Sequence, residues 1–210
     1  MIEASANDLL SDYRDCVQRT LAAGQAPQIP ANAMLALLLQ GCIQAHPWQV
    51  LLAMRLRNAM VKPWRLRTSN IGCPVSSLLD REATMHFAGA YPVRRIVRDD
   101  ASRAEIVLGA DDRHLCFRTS ISAERLDDGG MHVTLTTAVQ ISKRFGRIYM
   151  AVVHPIHRRW IAPAILGAAL EYACSASAKT KLEALIRSSS DDMRMYGACG
   201  RRPFGNLVSG

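Results

Sequence analysis

His114 and Arg118 are the side chains best spaced for chemistry in this chain. They lie four residues apart in LGADDRHLCFR, Leu108 to Arg118. On a strand that spacing puts both on one sheet face. Arginine offers a planar fork for a carboxylate or phosphate, and histidine can move a proton near neutral pH. Together on a cavity wall they would hold the anionic end of a ligand. The competing role is the solvated side of a half-buried sheet, with Asp111 or Asp112 linked to Arg113 or Arg118. Tyr149, His154 and His157 form a second group on one apolar helical stretch. His154 and His157, three apart, can share a helix face. Two histidines do not make a zinc site, and no carboxylate follows on that helix before Glu171. They read better as polar residues in a helix–sheet seam, so no metal and no cofactor is expected. Arg55 belongs to a third group, a basic helix face with Asn58 and Lys62. No nucleophile stands out. There is no G-x-S-x-G elbow, and Cys116 beside His114 on a strand is too loose a pairing for a dyad.

The elements that must carry these residues follow from pattern. Asp12 to Leu21 predicts a first strand, and Ala22 to Pro30 a loop. Ala31 to Gln44, rich in Ala, Leu and Met, predicts a helix that Gly41 weakens near its end. Pro47 opens a second helix, Trp48 to Val61. There Leu52, Leu56, Ala59 and Met60 should take the core side and the basic residues the wet side. Pro63 ends it. Arg67 to Ala90 is irregular. Tyr91 to Arg98 and Arg103 to Leu108 predict two strands, followed by an acidic turn from Gly109 to Asp112. His114 to Glu124 and Met131 to Ile141 alternate apolar and polar residues around Asp127-Asp128-Gly129-Gly130, the clearest hairpin turn in the chain. Phe145 to Ala173 predicts the longest helix, kinked or broken at Pro155 and Pro163. Its stripe of Tyr149, Val152, Val153, Ile156 and Trp160 should pack on the sheet. Lys179 to Arg187 predicts a short helix, and Ser188 to Gly210 a flexible tail.

Strands in hairpin succession before a long apolar helix indicate an α+β fold, an antiparallel sheet packed on helices. No βαβ alternation or glycine-rich phosphate loop is present, which argues against a doubly wound nucleotide-binding fold. The charge is lopsided. The chain carries net +8, and 22 of its 26 cations are arginine. No acid stands between Asp15 and Asp80, or between Asp128 and Glu171. Such asymmetry suits an anionic ligand, or simply a basic solvated surface. Aromatics are only 6%, and no nucleic-acid motif appears, so nucleic acid is not the expected partner. The six cysteines form no CxxC pair, which fits a reducing cytoplasm. The acidic start MIEASANDLL is not a secretory signal, and the apolar run Ala31 to Leu39 is too short to span a bilayer.

Several of these segments recur together in a known pattern. Met54-Arg55-Leu56-Arg57-Asn58, Leu108-Gly109, Asp112-Arg113-His114-Leu115, Phe117-Arg118, Thr136-Thr137, Gly146-Arg147-Ile148-Tyr149 and Pro155-Ile156-His157-Arg158 follow one another in order. Over residues 12 to 170 this order resembles a bacterial family known only as a domain of unknown function, grouped with the START-like (SRPBCC, polyketide-cyclase-like) helix-grip proteins. The chain departs from it at Trp64-Arg65 and Ser142-Lys143. The resemblance implies a curved antiparallel sheet gripping a long C-terminal helix, two short helices near the N-terminus, and a cavity between sheet and helix.

The expected organisation is one START-like domain over 12–173 and a C-terminal extension over 174–210. The leading functional expectation is a soluble cytoplasmic protein binding a small, mostly apolar ligand with an anionic end. His114, Arg118, Tyr149, His157 and Arg55 are its candidate ligand-binding residues. One alternative is a cyclase, hydratase or lyase in which His114 or His157 moves a proton. Another is a non-catalytic protein-interaction module, marked by a filled core and an exposed apolar patch. Oligomeric state is not legible from the sequence.

Overall fold

A computed structural model describes residues 11–45, 47–61, 85–88, 91–111, 115–142 and 144–175. All the elements below belong to one compact unit, Met1–Cys174. Their order is β1 (Tyr13–Leu21), α1 (Ala31–Gln44), α2 (Trp48–Val61), β2 (Met85–Phe87), β3 (Tyr91–Val93), β4 (Arg95–Asp99), β5 (Arg103–Asp111), β6 (Leu115–Arg125), β7 (Met131–Ile141), α3 (Arg144–Ile156), a π-helical turn (His157–Ile161) and α4 (Ala162–Cys174). The fold is mixed α and β. Five antiparallel strands run in the order β1-β7-β6-β5-β4, and β2 pairs with β3 in a separate two-stranded sheet. Among the described residues no helix is long and apolar enough to cross a membrane.

Alternation gives the large sheet two unlike faces. One carries the cross-strand row Val17, Leu135, Ile121 and Ile106, and beside it the row Tyr13, Val139 and Phe117. The second row packs on Tyr149, Met150 and Val153 of α3. The opposite face carries Ser120 and Glu105, which share a 2.8 Å hydrogen bond from Ser120 Oγ to Glu105 Oε1. Helix α1 packs on β5, β6 and α4. Met34, Leu35, Leu37, Leu38 and Leu39 are all buried there, because a helix apolar on every side belongs inside a core. Gly41 has a packing purpose. A Cβ on it would lie 2.9 Å from both Cα and the carbonyl oxygen of Ala169, so the missing side chain lets α1 and α4 touch backbone to backbone.

The C-terminal helix departs from its expected form in an informative way. It is long, as predicted, but its register changes in the middle. Pro155 lies in the last turn of α3 and Pro163 in the first turn of α4. Neither can donate to the carbonyl four residues back. Between them the backbone widens, and Ala162 N–H bonds the His157 carbonyl five residues back. The extra residue turns the buried stripe. Before it the inward residues are Tyr149, Met150 and Val153, and after it Ala162, Leu166, Ala169, Leu170 and Ala173. Val152 and Ile156 stand before the π-turn, on the outer side of α3, and Trp160 lies within the turn; all three, expected on the sheet, are exposed, Trp160 by 67%. Helix α2 also turns the other way from expectation. Val50 is buried, while Leu52 and Leu56 are exposed on the same side as Arg55.

Strand boundaries differ in three places. The expected strand Tyr91 to Arg98 is two strands in different sheets, divided at Arg94. Pro92, which has no N–H to give a ladder, stands opposite His86 in the small sheet. The residues before it include strand β2, within the stretch expected to be irregular. The turn expected from Gly109 begins later, since β5 continues to Asp111. Gly109 pairs with Arg118, and the space a Cβ would need there is taken by the Phe117 carbonyl oxygen. The helix expected at Lys179 to Arg187 and the tail lie outside the described residues.

Two hairpin turns among the described residues follow their sequence chemistry. Gly129 has φ +84, and Gly130 N–H donates to Asp128 Oδ1 at 2.7 Å. Asp100 closes the β4–β5 turn by accepting from Arg98 Nε (2.5 Å), Ser102 Oγ (2.7 Å) and Arg103 N–H (2.6 Å). The Arg98 bond first, then those from Ser102 and Arg103, hold the Asp100 carboxyl well below the usual carboxylate range. A depressed folded value means stability that is present above the ordinary aspartate value of 3.8 and is lost as pH falls from there toward the folded value. Asp100→Asn should flatten that acid limb in a plot of Tm against pH, with a lower Tm than wild type near neutrality and convergence of the two at low pH. Parallel acid limbs for variant and wild type would remove Asp100 as a contributor.

Candidate functional site

The one place where described residues combine burial, charge and a histidine is the seam between β1 and the π-turn. Asp15 stands on the inward face of β1, with its side chain only 2% exposed. Its Oδ2 lies 2.7 Å from His157 Nδ1, and the imidazole is 22% exposed. Its Oδ1 is buried and has no hydrogen-bond partner among the described residues. A buried carboxylate normally satisfies both oxygens, because an unpaired polar atom costs the desolvation it never recovers. A carboxylate on Nδ1 fixes the ring's tautomer and orientation and leaves Nε2 for other work.

Local structure explains the placement. On β1 the inward parity is Tyr13, Asp15 and Val17, so Asp15 is an acid in an apolar series. On the helix, Tyr149, Val153 and His157 follow at four-residue spacing, which keeps all three on the side facing the sheet. The π-turn begins at His157 itself. Inserted π-turns of this kind often mark functional positions. Next to Asp15 its cross-strand partner is Thr137, and next to that Thr119, both 5% exposed. A polar row, Asp15, Thr137 and Thr119, thus crosses three strands between the apolar rows of Val17 and Tyr13. One helical turn earlier, the His154 ring lies 5.1 Å from that of Tyr13, and its Nε2 is 3.4 Å from the Arg14 carbonyl oxygen.

Of the residues singled out from sequence, Tyr149 and His157 come together on this inward stripe. Arg118 does not join them. It alternates with Phe117, which packs against the Tyr149 cluster, so Arg118 points from the other face. There its Nη1 donates to the Phe117 carbonyl oxygen at 2.9 Å, and its stem lies over Gly109. Arg55 is on the exposed side of α2. His114 lies outside the described residues. Among those described, no group of three potential metal ligands clusters. The residue that pattern reading passed over is Asp15. Its signal was present, an acid at the parity shared by Tyr13 and Val17, but the partner that makes it notable is 142 positions away.

Comparison with known proteins adds the family. Residues 10–164 match the family described as "Protein of unknown function (DUF2867)". The chain belongs to that family. Asp15 and His157 fall within the span matched by DUF2867, as do His114, Arg118, Tyr149 and Arg55. No curated protein matches the sequence. Among solved structures, the crystal structure of TTHA0849 from Thermus thermophilus is similar at 12% identity, over 79% of this chain and 99% of that one, with a TM-score of 0.28.

Proposed function

We propose that this DUF2867 protein binds a small, mostly apolar ligand between its sheet and its C-terminal helix, in the manner of a START-like helix grip. The observation that carries the reading is the buried Asp15 Oδ1 beside His157, an oxygen with no hydrogen-bond partner among the described residues. A carboxylate oxygen only accepts, so the ligand's polar end should donate, as a hydroxyl, amide or amine. An anionic end is disfavoured at this point, because like charges repel strongly out of water. The apolar rows on either side of Asp15, Thr137 and Thr119 suit the rest of such a molecule.

Native mass spectrometry of protein purified from its own host tests this directly. Wild type should retain a small molecule, and Asp15→Asn, which keeps the shape but changes the acceptor, should lose most of it. Absence of any retained molecule from wild type, or equal retention by Asp15→Asn, would sink the proposal. A second reading, proton transfer by His157, is favoured by the 2.7 Å contact that orients its ring. It requires the molecule retained by His157→Gln to differ in mass or structure from that retained by wild type. Identical molecules would leave binding alone.

A further inference from the structure

Two helices expose apolar stripes that the core does not use. On α2, Trp48, Leu52 and Leu56 recur every four residues and are 69%, 48% and 61% exposed. On α3, Ile148, Val152 and Ile156 do the same, and the π-turn continues the line to Trp160. Helix α2 packs against the π-turn and α4, so the stripes belong to neighbouring elements of one unit. Isolated exposed apolar residues are ordinary, but two helical stripes, each carrying a tryptophan, are not.

The charges around them have one sign. Arg55, Arg147, Arg158 and Arg159 are exposed on these same elements. Neither α2 nor the stretch from α3 through the π-turn contains a carboxylate. We propose that this face docks on the surface of an anionic phospholipid bilayer. Apolar side chains would enter the headgroup boundary, tryptophans would sit at the interface, and arginines would reach the phosphates. A second copy of the chain fits less well. A two-fold contact sets the same patch against itself and would bring these arginines together with no acid between them. The proposal stands independently of the ligand reading, since it uses neither Asp15 nor His157.

The full-length protein should be mixed with large vesicles of phosphatidylcholine alone and of phosphatidylcholine with phosphatidylglycerol, then sedimented. Binding should rise with phosphatidylglycerol, weaken as salt screens the charges, and shift tryptophan emission to the blue. Ile156→Asp and Leu52→Ser lie on exposed positions and should melt like wild type. Each should weaken vesicle binding, Ile156→Asp by about tenfold or more, the factor expected for one apolar anchor lost. Arg158→Gln with Arg159→Gln should remove much of the dependence on phosphatidylglycerol. The proposal is overturned if wild type stays in the supernatant with both vesicle types, or if well-folded Ile156→Asp and Leu52→Ser bind as wild type does. It is equally overturned if sedimentation equilibrium shows a dimer that Ile156→Asp dissociates, which would make the face a self-interface.

Discussion

His157→Leu should destabilise the protein by about 3 kcal/mol, the low end of what leaving a buried carboxylate without its partner costs. Asp15 is almost fully buried, and its partner among the described residues is the His157 imidazole at 2.7 Å. Its other oxygen already has none there. Removing the ring leaves a buried carboxylate with both oxygens unsatisfied. The 22% exposure of His157 lets some water into the vacated edge, which is why the low end is expected. The pair itself adds little net stability, because both groups lost hydration to form it. The double variant Asp15→Leu with His157→Leu should therefore recover most of the loss. Urea unfolding with an unchanged m-value is the measurement. A His157→Leu variant within about 0.5 kcal/mol of wild type would show that the Asp15 carboxyl does not depend on the imidazole in the folded state. Because this cycle reads stability alone, it remains informative even if no ligand is ever found.

Gly41→Val should cost roughly 3 kcal/mol, the upper part of the overpacking range. Its Cβ would meet Ala169 Cα and carbonyl oxygen at 2.9 Å, and Tyr172 Cβ at 3.1 Å. Two of these atoms are backbone, so no rotamer change relieves the contact, and α1 must move away from α4. Gly41→Ala separates this effect from helix propensity. Alanine gains up to about 1 kcal/mol over glycine inside a helix. Here the contact should outweigh the gain and leave the variant less stable. Gly167 on α4 is the control, since nothing lies within 4 Å of its Cβ position. Gly167→Ala should stabilise by roughly 0.5–1 kcal/mol. Chemical denaturation of the three variants decides the matter. If Gly41→Ala and Gly167→Ala stabilised equally, the close crossing of α1 and α4 would be wrong.

Local chemistry in the sequence determined a good part of this protein. Helices Ala31–Gln44 and Trp48–Val61 lie where residue preference and Pro47 put them. Strand Met131–Ile141 and its turn follow from alternation and from the glycines, one of which takes the positive φ that the hairpin needs. These features depend on neighbours within a few positions, so a linear reading contains their causes. Parity alone also placed Arg118 opposite Phe117. Which of those two faces meets the helix was decided by packing, and it puts Arg118 on the far side from Tyr149 and His157. The same is true of α2, whose apolar residues lie on more than one side, so that only its neighbours select the buried one. The stripe through Ile156 and Trp160 failed for another reason. Val152 and Ile156 precede the π-turn, and the sheet takes the neighbouring side of α3, Tyr149, Met150 and Val153. Only beyond Ile156 does the extra residue of the π-turn rotate the stripe, which a 3.6-residue period read along the chain cannot register. The pairing of Asp15 with His157 joins the first strand to the last helix across 142 positions, and only the closing of the sheet onto that helix brings a buried carboxylate and an imidazole to 2.7 Å.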